Sequence, residues 1–568
     1  MNTARVFLTA LCATLAFAAH SWAQIARGVI VDGSTGAPVR GAFVVLLNEQ
    51  GQQVTGVLSG EQGEFVFLTR PGRYALRADR IGHRTGTVES FLLADRETRT
   101  FRIQLDVNAL RLPEISVSGR NRCVGRPDGN RQTAQVWEEA RKALTVAVWV
   151  ESNAAATFRY RVIERELNRQ LDETGRPSMR FHSAAGKRAF HAEHPDSLMQ
   201  YGYVQDRRGD TFLFGPDAEL LLSNSFLDQH CFQLVRRANR PGLLGLAFEP
   251  ISGRRLPDIR GVLWLDERSA ELRFIEFGYT NRQMYDDQRY AGGRTNFRQL
   301  PNGAWIVQNW YIRAPRLGAL TGGELRVIGA FETGGEVLDA QVAGAQNTVL
   351  VPRTAIAGIV FDNVRHRPLD GARVYLSGTP FSTQAGVDGR FRLDSVPVGD
   401  YFIAFEHTWL DSLPIFPPPV RVTADSSGVA NLFLVVPTAE RLIDEVCPLE
   451  ERLRLSRAAR DTTPPNHGVL YGTVRSPDGV GNDVEVGATW RRVFAISGAA
   501  QARISDMRVR PHTMATSVGP DGKYLLCAVP IDHPIQLDVS VRNYRVRADS
   551  VRLIWPGLMR RDFVLPRR

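Results

Sequence analysis

Lysine is almost absent from these 568 residues: Lys142, Lys187 and Lys523 are the whole supply, so the 70 basic side chains are nearly all arginine. They stand against 60 acidic ones, a formal net charge of +10, and are spread along the chain rather than gathered into a run. That dispersion argues against a nucleic-acid partner, which calls for a concentrated basic patch. Cysteine is scarce at five, with no Cys-x-x-Cys and no close Cys/His cluster, which argues against a zinc site. No run of about 18 apolar residues follows the N-terminal segment, so no transmembrane helix is expected. His-Glu-x-x-His, Gly-x-Ser-x-Gly and a phosphate-binding glycine loop are all missing, and with them the common signatures of hydrolases and nucleotide enzymes. What is plentiful is glycine, 50 residues against seven methionines in a 43% hydrophobic chain. That balance points to a folded protein of short strands and tight turns, and the length allows three to five domains.

The N-terminus reads as a secretory signal. Arg5 precedes an apolar stretch from Val6 to Ala19, and Ser21-Trp22-Ala23 forms a small-x-small cleavage site before Gln24. The stretch is too short to span a bilayer as a helix. Cleavage is favoured over retention as an uncleaved anchor, and Leu11 stands where a lipid-anchoring Cys12 would need a small residue. Cys123, Cys231, Cys447 and Cys527 then remain, an even count that reads as disulfides in an oxidising compartment. Of the three pairings, sequence position favours Cys123–Cys231 and Cys447–Cys527, each within one segment of the chain.

A repeat emerges by offset. Gly28-Val29-Ile30-Val31-Asp32 is followed by Pro38 and Gly41-Ala42; Gly358-Ile359-Val360-Phe361-Asp362 is followed by Pro368 and Gly371-Ala372 at the same spacing. Each copy then has a Gly-x-aromatic strand start (Gly63-Glu64-Phe65, Gly389-Arg390-Phe391) and a turn into a tyrosine strand (Tyr74, Tyr401). A degenerate third copy runs from Gly472-Thr473-Val474 to Asp521-Gly522-Lys523-Tyr524. Alternating apolar residues and Asp-Gly turns predict small Greek-key sandwiches.

At these residues the chain resembles the carboxypeptidase regulatory-like family, a transthyretin-like (prealbumin-like) β-sandwich of about seven strands. The resemblance covers 24–107 and 355–436 well and 467–568 weakly. It implies a fold rather than an activity, because such modules are appended to many unrelated exported proteins. The zinc domain of metallocarboxypeptidases has no counterpart here, and neither has the Tyr-Arg-Gly-Ser ending of transthyretin-like hydrolases. Leu112-Pro113-Glu114-Ile115-Ser116-Val117-Ser118-Gly119 resembles the segment joining such a module to the plug of TonB-dependent receptors, without room for their barrel.

Between the first two copies, residues 108–145 read as a linker with a helix that Thr133 can cap, its face carrying Val136, Trp137, Ala140 and Leu144. Residues 146–350 read as a central antiparallel β domain, with Asn302-Gly303 a strong hairpin signal. Its strand rhythm is similar to exported half-barrels of the lipoprotein-carrier type, whose concave sheet holds acyl chains. Trp264, Phe274, Trp305 and Trp310 are the residues that resemblance would set around a cavity; ordinary sheet core is the favoured reading. Residues 437–466 read as a helical linker split by Pro448.

The fold expected is therefore mostly β: repeated transthyretin-like sandwiches flanking a central antiparallel domain, with an open half-barrel as one form it can take, and short linker helices. His191, Glu193, His194 and Asp196 are the nearest approach to a metal set, but Pro195 favours a solvated turn; Asp286-Asp287 is adjacent without facing a common site. No catalytic residue, metal or cofactor is expected. The function expected is non-enzymatic binding or scaffolding in a cell envelope, periplasmic or outer-membrane-associated, with an envelope glycan, lipid or protein as partner. Two alternatives are a carbohydrate binder with Tyr401 and Trp409 as aromatic platforms, and a lipid or lipoprotein carrier. Pairs such as Arg236-Arg237 and Arg254-Arg255 read as solvated charge.

Overall fold

A computed structural model describes residues 24–107, 123, 125–152, 156–185, 190, 192–281, 287–319, 325–342, 346–411, 417–458, 467–477, 483–495, 507–542 and 544–566. Residues 1–23, expected to be a signal, and the 112–119 stretch lie outside the described residues. The chain divides into two compact units, 1–350 and 351–568, and its structure is mostly β.

The first unit opens with a seven-strand sandwich: β1 (Gln24–Asp32), β2 (Phe43–Leu47), β3 (Gln53–Leu58), β4 (Glu64–Thr69), β5 (Gly72–Asp79), β6 (Gly86–Leu93) and β7 (Thr98–Leu105). One sheet has the order β4-β1-β7, the other β3-β2-β5-β6. All pairings are antiparallel except that of β1 with β7. Ala26, Ile30, Val44, Leu46, Phe65, Phe67, Leu76 and Ile103 fill the space between the sheets.

Next comes helix α1 (Arg131–Ser152). Its start is capped not by Thr133, which is buried inside the first turns, but by Asn130, whose Oδ1 accepts from the Gln132 N–H at 2.9 Å. The helix also runs past residue 145, burying Val146, Ala147 and Val150, so it belongs to the core of the sheet that follows.

That sheet is antiparallel throughout and open among the described residues. Its strands are β8 (Thr157–Leu167), β9 (Glu173–Ala185), β12 (His230–Val235), β13 (Leu243–Pro250), β14 (Asp258–Asp266), β15 (Leu272–Thr280), β16 (Gly292–Gln299), β17 (Trp305–Ala319), β18 (Leu325–Gln341) and the short β19 (Thr348–Val349). The spatial order is β12-β13-β14-β15-β16-β17-β18-β8-β9, with β19 on β18. A separate hairpin, β10 (Val204–Arg207) with β11 (Asp210–Leu213), and helices α2 (Pro195–Tyr201), α3 (Ala218–Leu222) and α4 (Asn224–Gln229) complete the unit.

One face of the large sheet is filled. Val136, Trp137, Ala140, Leu144 and Ala147 of α1 pack with Phe232, Leu246, Leu263, Ile275, Trp305 and Val307 in a single apolar core. The first sandwich seats on the same core through Phe43 and Val45, both fully buried. At this seat two backbones touch: a Cβ on Gly41 would lie 2.8 Å from the Gly303 Cα, at the tip of the Asn302-Gly303 hairpin. Beside it, Lys142 donates to the His83 carbonyl (2.6 Å) and to Glu139 Oε1 (2.9 Å), while Glu139 Oε2 accepts from the Gly82 N–H.

The second unit holds two more sandwiches of the same plan. One comprises β20 (Arg353–Asp362), β21 (Arg367–Pro368), β22 (Arg373–Leu376), β23 (Ser382–Gln384), β24 (Arg390–Pro397), β25 (Gly399–Glu406), β26 (Val420–Ala424) and β27 (Val429–Val436). Helices α5 (Ala439–Val446) and α6 (Leu449–Ala458) lead to the other: β28 (His467–Arg475), β29 (Val484–Ala495), β30 (Met507–Ser517), β31 (Lys523–Pro530), β32 (Pro534–Val541), β33 (Tyr544–Arg552), β34 (Leu558–Arg560) and β35 (Phe563–Val564). Each pairs its first strand in parallel with its last, β20 with β27 and β28 with β34 and β35.

The shared plan explains the letters of the repeat. A Cβ on Gly28, Gly358 or Gly472 would lie 2.2, 2.1 or 2.0 Å from the carbonyl oxygen of Phe101, Leu432 or Arg561 on the parallel neighbour. Two residues later, the N–H of Ile30, Val360 or Val474 donates to the carbonyl of the turn glycine Gly63, Gly389 or Gly522 at 2.7–2.8 Å. Those three glycines have φ of +75°, +71° and +79°, where a side chain is strained. The third sandwich is also braced from outside: Ile443 of α5 and Cys447 just after it cluster with Val469 and Leu525 on the outer face of its small sheet.

Candidate binding surfaces

The cysteines pair as position favoured. Cys123 bonds Cys231, tying the segment before α1 to β12, and Cys447 bonds Cys527, fixing the end of α5 to β31. The sulfurs of the first pair lie near Glu249, but both are held in the bond.

The four central aromatics do not meet around one cavity. Trp305 and Trp310 sit in the helix-covered core, where Trp310 packs on Phe190 and Tyr160 and its ring takes the space a Cβ would need on Gly335. Trp264 and Phe274 point to the opposite face with Val262. Period-two alternation along β14 and β15 separates them from Leu263 and Ile275 of the core. Tyr401 and Trp409 are 1% and 6% exposed, so neither is an aromatic platform for a sugar. The Tyr401 hydroxyl donates to the Pro397 carbonyl at 2.6 Å, a bond that anchors its own strand.

The polar candidates are dispersed. His194 Nδ1 accepts from the Asp196 N–H as the cap of α2, and Glu193 pairs with Arg207. His191 and Asp286 lie outside the described residues, and Asp287 accepts from the Arg289 N–H. One buried set went unread in the sequence. His230, fully buried, places Nε2 3.2 Å from Asp258 Oδ1 and Nδ1 2.9 Å from the Phe226 carbonyl, and the other oxygen of Asp258 pairs with Arg254. Every group there is occupied by protein, so the set braces α4 against β14. Arg254 is thus a partly buried ion-pair partner and not solvated charge.

The uncovered face of the large sheet is charged, and its two halves differ. Across β17, β18 and β8 four arginines find a cross-strand carboxylate: Arg313 and Arg165 with Glu332, Arg161 with Glu336, Arg159 with Asp339. Across β13–β16 the carboxylates run short. Glu276 receives Arg240 (2.8 Å), the Trp264 indole N–H (2.8 Å) and, at 3.9 Å, Arg237. Arg237, Arg240 and Arg294 are stacked over Trp264 and Phe274 rather than paired one to one. Partial burial lowers the Arg294 pKa from its ordinary value, Glu276 and Tyr311 raise it, and Arg240 lowers it further. Here the sheet surface sinks into a depression of about 760 Å³ whose lining includes Arg237, Arg240, Arg260, Arg289, Glu276 and Tyr311. A larger one, about 1060 Å³, lies between the first sandwich and the 300–302 turn; its Arg40 is matched by Glu61 at 2.6 Å.

The first sandwich, with its parallel first and last strands and its glycines, matches a known module. Residues 26–106 match the carboxypeptidase regulatory-like domain. No protein of curated function matches the chain in sequence. Among solved structures, similarity reaches Klebsiella pneumoniae 5-hydroxyisourate hydrolase (19% identity, 15% of this chain and 92% of that one, TM-score 0.13). It also reaches the group B streptococcus pilus 2b backbone protein (19%, 16% of this chain, TM-score 0.14), of which the chain spans 43%. A third is BcpA, the major pilin subunit of Bacillus cereus (10%, 73% and 98%, TM-score 0.14). Overlaps of this degree bear on neither ligand nor activity. No described helix is both long and apolar enough to cross a membrane.

Proposed function

We propose that this chain is an exported, non-enzymatic scaffold in which the first, regulatory-like sandwich holds a broad β sheet that leaves one of its faces open for binding. The observation that carries the reading is the seat of the first sandwich. Phe43 and Val45 are part of the central core, two glycine backbones abut, and a buried Lys142–Glu139 pair closes the joint. A joint built from core residues and main-chain contact fixes the module in one orientation, as a scaffold requires. The same core supports the scaffold over the carrier alternative, because α1 occupies the face where acyl chains would lie. The two disulfides are compatible with an oxidising compartment.

Native mass spectrometry of the full chain, purified without detergent, tests this. The scaffold predicts the mass of the bare polypeptide; a retained acyl chain overturns it in favour of a carrier.

A further inference from the structure

Among the described residues, the arginine-rich half of the open sheet face has too few carboxylates to pair its arginines one to one. On the paired half, register alone puts a carboxylate opposite each of those four arginines, and the charges are spent on one another. On the other half, Arg237, Arg240, Arg260 and Arg289 line one depression, with Arg294 beside it over Phe274, and the described carboxylates lining it are Glu276 and the exposed Glu249. The Arg260 side chain makes no hydrogen bond or ion pair with a described residue. Arg289 binds a carbonyl and a tyrosine hydroxyl. Arg294 is held by Asn296 and lies 3.6 Å from the centre of the Phe274 ring. Stacking fixes a guanidinium without neutralising it, and leaves its planar fork free for an oxyanion.

We propose that this depression binds an acidic polysaccharide; the inference rests on the open-face scaffold above and names its ligand. Arg260 on β14 and Arg294 on β16 stand two strand spacings apart and two residues out of register, about 12 Å between backbones. A chain bearing a carboxylate on each sugar can set one against each guanidinium. Gln233, Asn239 and Gln288 line the same depression with amides suited to sugar hydroxyls. The site lies on the face of the sheet, where strand backbones are already paired, so an acidic peptide finds no free main chain to extend. The chemistry is non-covalent: bidentate guanidinium–carboxylate bonds with counterion release.

The test is calorimetric titration of the full chain with a tetramer of galacturonic acid, with maltotetraose as the neutral control. Arg260→Gln and Arg294→Gln are compared with Arg421→Gln, an exposed arginine of the second sandwich. The acidic tetramer should bind, maltotetraose should not, and each depression variant should weaken binding about tenfold while Arg421→Gln leaves it unchanged. Absence of binding at low salt, equal loss in all three variants, equal binding of maltotetraose, or preference for anionic phospholipid vesicles over the tetramer would each overturn the assignment. A bare mass in the native spectrum with no calorimetric binding removes the ligand and leaves the scaffold standing; a retained acyl chain removes the scaffold itself.

Discussion

Gly358→Ala isolates the close approach that recurs in all three sandwiches. The backbone there is ordinary sheet, so alanine carries no conformational penalty and any cost comes from collision. The new Cβ would lie 2.1 Å from the Leu432 carbonyl oxygen, against an ordinary contact of at least 3.4 Å. Strands β20 and β27 must part locally by more than an ångström. Two or so ladder bonds, worth about 1 kcal/mol each, then fail, and the packing of Val360 against Leu434 loosens; the expected cost is about 3 kcal/mol. The comparison is Gly371→Ala, at φ +71° with nothing within 4 Å of the added atom. It carries only the left-handed penalty of about 1–2 kcal/mol. Hydrogen exchange on the full chain reads both, because the amides of Val429–Val436 report β27 without assuming that all domains unfold together. Gly358→Ala should accelerate them by roughly two decades, the conversion of 3 kcal/mol. Unchanged exchange in β27, or a larger effect from Gly371→Ala, would refute the reasoning.

Lys142→Ala leaves Glu139 charged and buried, a change that costs about 3–5 kcal/mol; exchange should rise first at Arg80–His83, and Glu139→Leu with Lys142→Met should recover part of the loss. The Cys447→Ser, Cys527→Ser double variant opens an 80-residue loop, worth roughly 4–5 kcal/mol in the chain-entropy model, and should release α5 so that Val469 and Leu525 bind a hydrophobic dye. Burial pushes the Tyr471 phenol up to about 12, with Asp362 and Asp562 raising it and Arg365 and Arg560 opposing. Its neutral form therefore adds stability that is whole below pH 10 and disappears as pH climbs through 12; the phenolate absorbance of the wild type minus that of Tyr471→Phe should step near 12, and a step near 10 contradicts the burial. Asp32 is held well below the usual carboxylate range by hydrogen bonds from Ser34 and Thr35. The tightening of its turn should persist from neutral pH down past 4 and fade only in stronger acid, followed by exchange at Ser34–Thr35.

The repeats were legible because glycine positions set by main-chain contact survive where packing residues drift: Gly28, Gly358 and Gly472 share a neighbour carbonyl while the side chains around them differ. Asn302-Gly303 was legible as a hairpin for the same reason, though not the Gly41 backbone that abuts it. Thr133 misled as a cap because Asn130 lies three residues upstream with an equally suitable side chain. The depression was invisible for another reason. Arg260 and Arg294 look like ordinary outward positions of alternating strands, and only the register that denies them a carboxylate makes them unusual. Arg254 shows the converse, an arginine that reads as surface and is partly buried against Asp258. Trp264 and Trp305 could not be assigned to opposite faces before the strands were ordered.

The parallel pairing of first and last strands has a mechanical consequence. In the opening sandwich, eight residues from Ile25 to Asp32 run alongside Thr98 to Leu105 in the same direction. Tension applied at the two ends of that module draws these strands past one another, so their hydrogen bonds share the load in shear instead of opening singly. The second sandwich repeats the arrangement with β20 and β27. In the third the last strand is broken, gripping Val469–Tyr471 and then Val474–Arg475, a shorter clamp. A chain of such modules resists extension along its length by the same contact that requires a glycine at its centre.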